Sequence, residues 1–126
     1  MIVPENLRYS EDHEWVAVDG DTIRVGITDY AQDALGDVVF VELPDVGSAV
    51  TAGASFGEVE STKSVSDLYA PMSGEIVEVN ADLADNPERL NEDPYGEGWI
   101  CVIKVSDSGQ LDSLLDAEGY QSLIEG

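Results

Sequence analysis

Positive charge is the scarcest property of this 126-residue chain. Five Lys and Arg residues stand against 27 Asp and Glu, which gives a formal net charge of -22. Nucleic acids and anionic membrane surfaces are bound through basic patches, so the composition argues against both as partners. The acidic residues are spread along the whole chain. This spread favours adaptation of the surface to concentrated salt over steering toward one basic partner.

Groups for catalysis and metal binding are nearly missing from the sequence. There is one histidine, His13, and one cysteine, Cys101. Cys101 alternates with apolar residues in the run 99–105, so we expect a core-facing and inert thiol. A zinc site would have only carboxylates to join His13, and the aspartates lack the spacing of a calcium loop. We therefore predict no catalytic residue, no metal site and no independent enzymatic activity.

Long apolar runs are missing as well. No stretch approaches the roughly 20 residues that a membrane-spanning helix needs. The residues Met1–Asn6 resemble neither a secretory signal nor an Arg-rich transit peptide. A lone cysteine cannot form an internal disulfide, which is typical of a reducing compartment. These observations predict a cytoplasmic protein without a membrane anchor.

The apolar residues that are present suffice for one core. Hydrophobic residues make up 43% of the chain and alternate with polar ones in many short runs. This pattern predicts a single, mainly β domain over residues 1–126, built as a small sandwich or barrel. A helical segment is expected at about 110–124, with Gly119 as the candidate point of interruption.

Local signals predict several elements. Asp19-Gly20-Asp21 is typical of a hairpin turn between two strands. Thr28 is placed to cap a short helix that Gly36 ends. The run Val38–Leu43 is apolar at nearly every position, which predicts a strand with little solvent contact. Asn86–Leu90 predicts a capped helical turn with proline at its first position.

Lysine occurs at two positions only, Lys63 and Lys104. The flanking runs Ala54–Glu60 and Ser64–Ala70 both have strand character, so Lys63 is predicted at the tip of a hairpin. A lysine on such a turn offers a flexible stem and an amine that is open to acylation. Lys104 lies inside a predicted strand, where a modifying enzyme would have to unpair the backbone.

Further motifs accompany Lys63 in a fixed order over about residues 9–120. They are His13-Glu14-Trp15, Gly26–Asp29, Leu35–Pro44, Glu58–Asn80 and Pro94–Trp99. Several ordered motifs are far more specific than one. The sequence resembles the lipoyl-bearing H proteins of the glycine cleavage system. The resemblance implies a flattened, lipoyl-domain-like barrel-sandwich of two antiparallel sheets with short appended helices.

The resemblance also implies a function and a site. Lipoate would be attached covalently to Lys63, and Glu14 and Asp67 would line the cleft that shelters the loaded arm. The alternative for both acids is ordinary solvated charge. The implied partners are glycine decarboxylase (P protein), aminomethyltransferase (T protein), dihydrolipoamide dehydrogenase (L protein) and a lipoate-attaching enzyme. We expect a monomer that shuttles the aminomethyl group of glycine between them.

Two other functions remain open at this point. One is a lipoyl relay, an H-like protein that donates lipoate to other carriers and serves no glycine decarboxylase. The other is a non-catalytic adaptor whose acidic surface binds a basic partner. The adaptor hypothesis predicts binding that is independent of Lys63.

Overall fold

Nine strands and four short α-helices make up the part of the chain that the computed structural model describes, residues 2–125. The predicted domain ends, Met1 and Gly126, lie outside the described residues. The strands are β1 (Arg8–Tyr9), β2 (Glu14–Asp19), β3 (Thr22–Ile27), β4 (Val38–Glu42), β5 (Ala49–Val50), β6 (Ser55–Ser61), β7 (Val65–Tyr69), β8 (Gly74–Val79) and β9 (Cys101–Val105). The helices are α1 (Asp29–Leu35), α2 (Asp82–Asp85), α3 (Arg89–Glu92) and α4 (Ala117–Glu125).

The strands form two antiparallel sheets. The larger has the order β1-β2-β3-β9-β8-β5, and the smaller has the order β4-β6-β7. The predicted fold class is confirmed, with one difference: within residues 2–125 the sheets stay separate and do not close into a barrel. Apolar side chains of both sheets meet in one core, and Tyr9, Trp15 and Tyr120 form a second, aromatic cluster.

The hairpin β2–β3 is confirmed at its predicted turn. Gly20 has a φ of 63°, a left-handed conformation that suits glycine. The resulting register pairs Trp15 with Gly26 and Glu14 with Ile27. Gly26 has no side chain because the Trp15 indole occupies that space; a methyl group there would lie about 2.5 Å from Nε1 of Trp15.

Helix α1 begins and ends where the sequence predicts. Oγ1 of Thr28 accepts a hydrogen bond from the N–H of Ala31 at 3.2 Å, which caps the first turn. Gly36 ends the helix with a φ of 80°. Asn91 of α3 then holds this end, because its Nδ2 donates to the carbonyl oxygen of Gly36 at 2.8 Å.

The prediction of little solvent contact for Val38–Leu43 is wrong. Val39 and Phe40 are each 51% exposed. β4 is an edge strand of the smaller sheet, and a register shift between Val38 and Phe40 interrupts its alternation. Apolar composition alone could not distinguish a strand buried on both faces from an edge strand with one open face.

Two helix predictions also need correction. The turn near Pro87 becomes helical only at Arg89, and Glu88 before it makes no side-chain cap. The segment predicted at about 110–124 divides into a 3-10 helix, Ser108–Ser113, and α4. Gly119 does not interrupt α4, because its N–H is bound by Oδ1 of Asp116 at 2.8 Å in the first helical turn.

Candidate functional site

Lys63 lies in the turn between β6 and β7, as the sequence predicts, and its side chain is exposed. The buried hydroxyl of Ser61 organises this turn. Its Oγ accepts hydrogen bonds from the N–H groups of Lys63 and Ser64, each at 3.1 Å. The N–H of Ser61 in turn donates to the carbonyl of Ser64 at 2.8 Å. The lysine is therefore presented on an ordered turn.

The hairpin tip is also attached to the end of α1. The N–H of Thr62 donates to the carbonyl of Asp37 at 3.0 Å. The stem of Lys63 lies over Gly36, where a methyl group would be 3.1 Å from Cε of the lysine. Glycine at this position therefore serves two purposes: it adopts the left-handed φ, and it leaves room for the lysine stem.

A cleft of about 150 Å³ lies along the same helix. Three parts of the chain form its walls: the start of β2, one face of α1 and the strand β7. The lining residues are Asp12, His13 and Glu14 from the first, Tyr30, Ala31, Ala34 and Leu35 from the second, Ser66, Asp67 and Leu68 from the third, and also Ile27 and Val59. The cleft thus brings together the two predicted acids. Lys63 lies at the far end of α1, outside this lining.

Glu14 is a buried acid, so the alternative of ordinary solvated charge is wrong for this residue. Its side chain is 1% exposed. Ser10 Oγ donates to its Oε1 at 2.8 Å, and the Tyr69 N–H reaches Oε2 at 3.5 Å. The pKa of Glu14 is raised to about 8, mainly by burial. The hydrogen bond from Ser10 opposes this shift, the charge of Asp12 adds to it, and the hydrogen bond from Tyr69 opposes it more weakly. The carboxyl is therefore mostly neutral near pH 7.

Asp67 occupies a different environment. It is exposed, and it pairs across the sheet with Glu58, which in turn pairs with Glu42. Three carboxylates therefore stand in one cross-strand row, which starts at Asp67 in the lining of the cleft. Opposing like charges destabilise a sheet, so a cation that binds beside this row is favoured.

His13 and Tyr120 were not predicted as site residues. His13 lines the cleft with a φ of 68°, unusual for a residue other than glycine. Its Nδ1 lies 2.9 Å from the hydroxyl of Tyr120, and its ring lies 4.8 Å from the ring of Tyr30. Burial lowers the pKa of His13, and Asp12 opposes this shift. The position of His13 directly before Glu14 was the available signal in the sequence.

The remaining reactive side chains lie away from the cleft. Cys101 is fully buried as predicted, and burial raises the pKa of its thiol to about 12. Lys104 belongs to β9, where its backbone pairs with Thr22 on one side and Glu75 on the other. Among residues 2–125, no group of three or more His, Cys, Asp or Glu side chains is arranged to hold a metal ion. None of the helices in this range combines the length and apolarity of a membrane span.

Fold and site together define a class of protein: a small two-sheet domain that presents one lysine on a hairpin beside a cleft. The glycine cleavage H-protein family matches residues 7–126. The glycine cleavage system H protein of Thermus thermophilus is 59% identical to this chain, and the match covers 99% of this chain and 98% of the relative. The glycine cleavage system H protein of Mycolicibacterium gilvum is 63% identical, and the match covers 97% of this chain and 96% of the relative.

A solved structure agrees with these relatives. The crystal structure of a glycine cleavage system H protein from Mycobacterium marinum is similar with a TM-score of 0.90 and 48% identity, and the match covers 98% of this chain and 100% of that one. The chain belongs to the glycine cleavage H-protein family. It is a lipoyl-carrying component of the glycine cleavage system and is not itself catalytic. Membership implies the P, T and L proteins as partners.

The raised pKa of Glu14 predicts a pH dependence of stability. The folded chain holds a proton on Glu14 between about pH 4.5, its ordinary pKa, and about pH 8, so the contribution of this residue to stability falls as the pH rises through that range. Glu14→Gln cannot ionise. We therefore expect the free energy of unfolding of the variant, minus that of wild type, to increase by a few kcal/mol as the pH rises through this range. A pKa difference of one unit corresponds to about 1.4 kcal/mol.

Urea unfolding at a series of pH values measures this effect as the difference between variant and wild type. Asp67→Asn is the matched control, because Asp67 lines the same cleft but is exposed. This variant shows how much replacement of a carboxyl by an amide at an exposed position of the cleft changes stability. Parallel curves for Glu14→Gln and wild type would contradict the buried, neutral state of Glu14.

Proposed function

We propose that Lys63 carries the lipoyl group and that the cleft containing Glu14 and Asp67 shelters the arm when it is loaded. The main support is the position of α1. One end of this helix contacts the stem of Lys63 at Gly36, and its exposed face forms a wall of the cleft. Helix α1 has seven residues, and each residue rises about 1.5 Å, so the helix is about 10 Å long. An arm built on Lys63 can follow the helix.

The lining of the cleft fits a lipoyl arm. Ala31, Ala34 and Leu35 offer an apolar track with little side-chain bulk, which suits a chain of methylene groups. The Glu14 carboxyl lies at the end of the track away from Lys63. Bound lipoate would supply a redox-active dithiolane, and one of its two sulfurs would hold the aminomethyl cargo once the S–S bond is open.

Glu14 is suited to retain a cationic cargo. A buried neutral carboxyl loses its proton when an amine binds beside it. If the amine arrives neutral, it takes the proton; if it arrives as an ammonium, the proton goes to solvent. Both routes end in a carboxylate–ammonium pair inside the cleft. Charge-assisted hydrogen bonds of this kind contribute about 1.5–3 kcal/mol. An arm without the amine gains nothing from this pair, so Glu14 selects the loaded state.

Asp67 supports the same state from the rim. Its carboxylate is solvated, so its attraction for the amine is screened and weaker than that of Glu14. The selective shelter protects the cargo from water while the protein moves between enzymes. Glycine decarboxylase would load the cargo, aminomethyltransferase would remove it, and dihydrolipoamide dehydrogenase would reoxidise the arm. A lipoate-attaching enzyme would modify Lys63, and we expect a cytoplasmic monomer with one carrier domain over residues 1–126.

We further propose that the surface is adapted to concentrated salt. The net charge of -22 and the cross-strand row of Glu42, Glu58 and Asp67 both favour screening by counterions. This property concerns the whole surface and is independent of the carrier site.

Acylation is predicted at Lys63 and not at Lys104. Lys63 lies on an exposed turn, whereas the backbone around Lys104 is paired on both sides. Protein purified from its native host should carry the mass of one lipoyl group, and peptide mapping should place it on Lys63. Lys63→Arg should abolish the modification, and Lys104→Arg, the matched control, should retain it. A lipoyl group that persists in Lys63→Arg would disprove the assignment.

The role of Glu14 predicts the lifetime of the loaded arm. Glu14→Gln removes the carboxylate and should shorten this lifetime by roughly tenfold to a hundredfold, while lipoylation and reoxidation stay nearly unchanged. Asp67→Asn should act in the same direction but more weakly. Release of formaldehyde from the loaded protein measures the decay. If neither variant releases formaldehyde faster than wild type, the cleft does not retain the cargo, although Lys63 could still be the carrier.

Salt adaptation predicts that the melting temperature rises as potassium chloride increases from millimolar to molar concentrations. Screening shortens the reach of charge repulsion from about 10 Å at 0.1 M to about 3 Å at 1 M. Glu58→Gln removes the middle charge of the cross-strand row. We expect it to melt higher than wild type at low salt and to approach wild type at high salt. A wild-type melting temperature that is flat or falling with salt would contradict the proposal.

A further inference from the structure

The hydroxyl of Tyr120 lies between two walls of the cleft. It is 2.7 Å from Oγ1 of Thr28, which caps α1, and 2.9 Å from Nδ1 of His13, which precedes Glu14. Tyr120 and Thr28 are both fully buried. The phenol group of Tyr120, on α4, therefore connects the α1 wall of the cleft to the wall that contains Glu14.

The direction of these hydrogen bonds follows from the donors available. Oγ1 of Thr28 accepts the N–H of Ala31, so Thr28 still has one hydroxyl proton to donate. The only other partner of this oxygen within residues 2–125 is the Tyr120 hydroxyl. If Tyr120 donated to Thr28, the buried Thr28 proton would have no acceptor, at a cost of about 1–3 kcal/mol. Thr28 therefore donates to Tyr120, and Tyr120 donates to Nδ1 of His13.

This sequence of donors and acceptors determines which ring nitrogen of His13 carries the proton. An Nδ1 that accepts a hydrogen bond carries no proton, so the imidazole is neutral and its proton is on Nε2. Burial raises the pKa of Tyr120 to about 12, so the phenol keeps its proton, and the lowered pKa of His13 agrees with a neutral ring. A neutral His13 places no positive charge beside a cationic cargo.

The position of Tyr120 is itself well supported. Its ring stacks on Tyr9 at 4.7 Å with an interplanar angle of 13°. The backbone of Tyr9 exchanges two hydrogen bonds with Leu115, at 2.8 and 2.7 Å, just before α4. The hydroxyl of Tyr9 bonds to the carbonyl of Pro4 and takes no part in the network. The aromatic stack therefore places the Tyr120 ring, and the hydroxyl adds the connection to the cleft.

We propose that Tyr120 is a positioning residue of the cleft, whose hydroxyl joins Thr28 to His13 and holds His13 as the neutral Nε2–H tautomer beside Glu14. The consequence for cargo retention rests on the proposed function of the cleft. The tautomer itself does not, because it is a property of the protein without its lipoyl group.

The tautomer can be read directly, since His13 is the only histidine. Nitrogen-15 NMR of the unlipoylated full chain is expected to show a protonated Nε2 and a bare Nδ1 in wild type at neutral pH. Tyr120→Phe keeps the aromatic stack but removes the hydroxyl, and it should give a mixture of tautomers. Tyr9→Phe removes a hydroxyl from the same stack outside the network and should match wild type, as should Thr28→Ser. A protonated Nδ1 in wild type would overturn the proposal without any variant.

A second measurement tests the consequence for the cargo. On lipoylated and loaded protein, Tyr120→Phe should release formaldehyde about two to ten times faster than Tyr9→Phe, as expected for one lost hydrogen bond of ordinary strength. If Glu14→Gln accelerates release and Tyr120→Phe does not, the positioning role is wrong and the proposed function stands. If the NMR result holds and neither variant accelerates release, the proposed retention of cargo by the cleft is wrong, and the assignment of the tautomer stands.

Discussion

The antiparallel register between β2 and β3 is the constraint on which the cleft depends. It pairs Glu14 with Ile27, so that Thr28, the cap of α1, follows directly beside the acid. A tight turn at Gly20 sets this register, and the close fit of the Trp15 indole over Gly26 permits no other. A slip of one residue would move Glu14 to the opposite face of the sheet, and the cleft would lose its acid.

Helix α1 then connects the turn of Lys63 to the cleft that contains Glu14. Its first turn is held by Thr28 and, through Tyr120, by the C-terminal helix. Its last turn is held by Asn91 and supports the stem of Lys63 through Gly36. The helix has no fully buried residue, and its Ala31 and Leu35 are only partly buried against the core, so the contacts at its ends add to its positioning. The geometry from lysine to acid is therefore determined by residues far apart in the sequence.

Burial separates Glu14 from the other acids of this chain. Most carboxylates lie at the surface, where water stabilises their charge and where they repel one another. Glu14 is enclosed by Ser10 and Tyr69 with too few donors to replace water, so the neutral form is favoured. A single protein thus has a strongly charged exterior and a neutral carboxyl inside the cleft that can become charged when a cation enters.

Much of this protein was predictable from local sequence signals. The turn at Gly20, the cap at Thr28, the helix stop at Gly36, the hairpin around Lys63 and the buried Cys101 all follow from short-range preferences, and ordered motifs indicated the family. The exposure of β4 was not predictable, because an edge strand and a central strand have the same apolar composition until their neighbours are known. The sequence by itself determined the β2–β3 hairpin, the two ends of α1 and the lysine on its turn. Only the tertiary structure decided which acid is buried and which histidine nitrogen carries the proton, because burial and hydrogen-bond order arise when α1, β2, β7 and α4 meet.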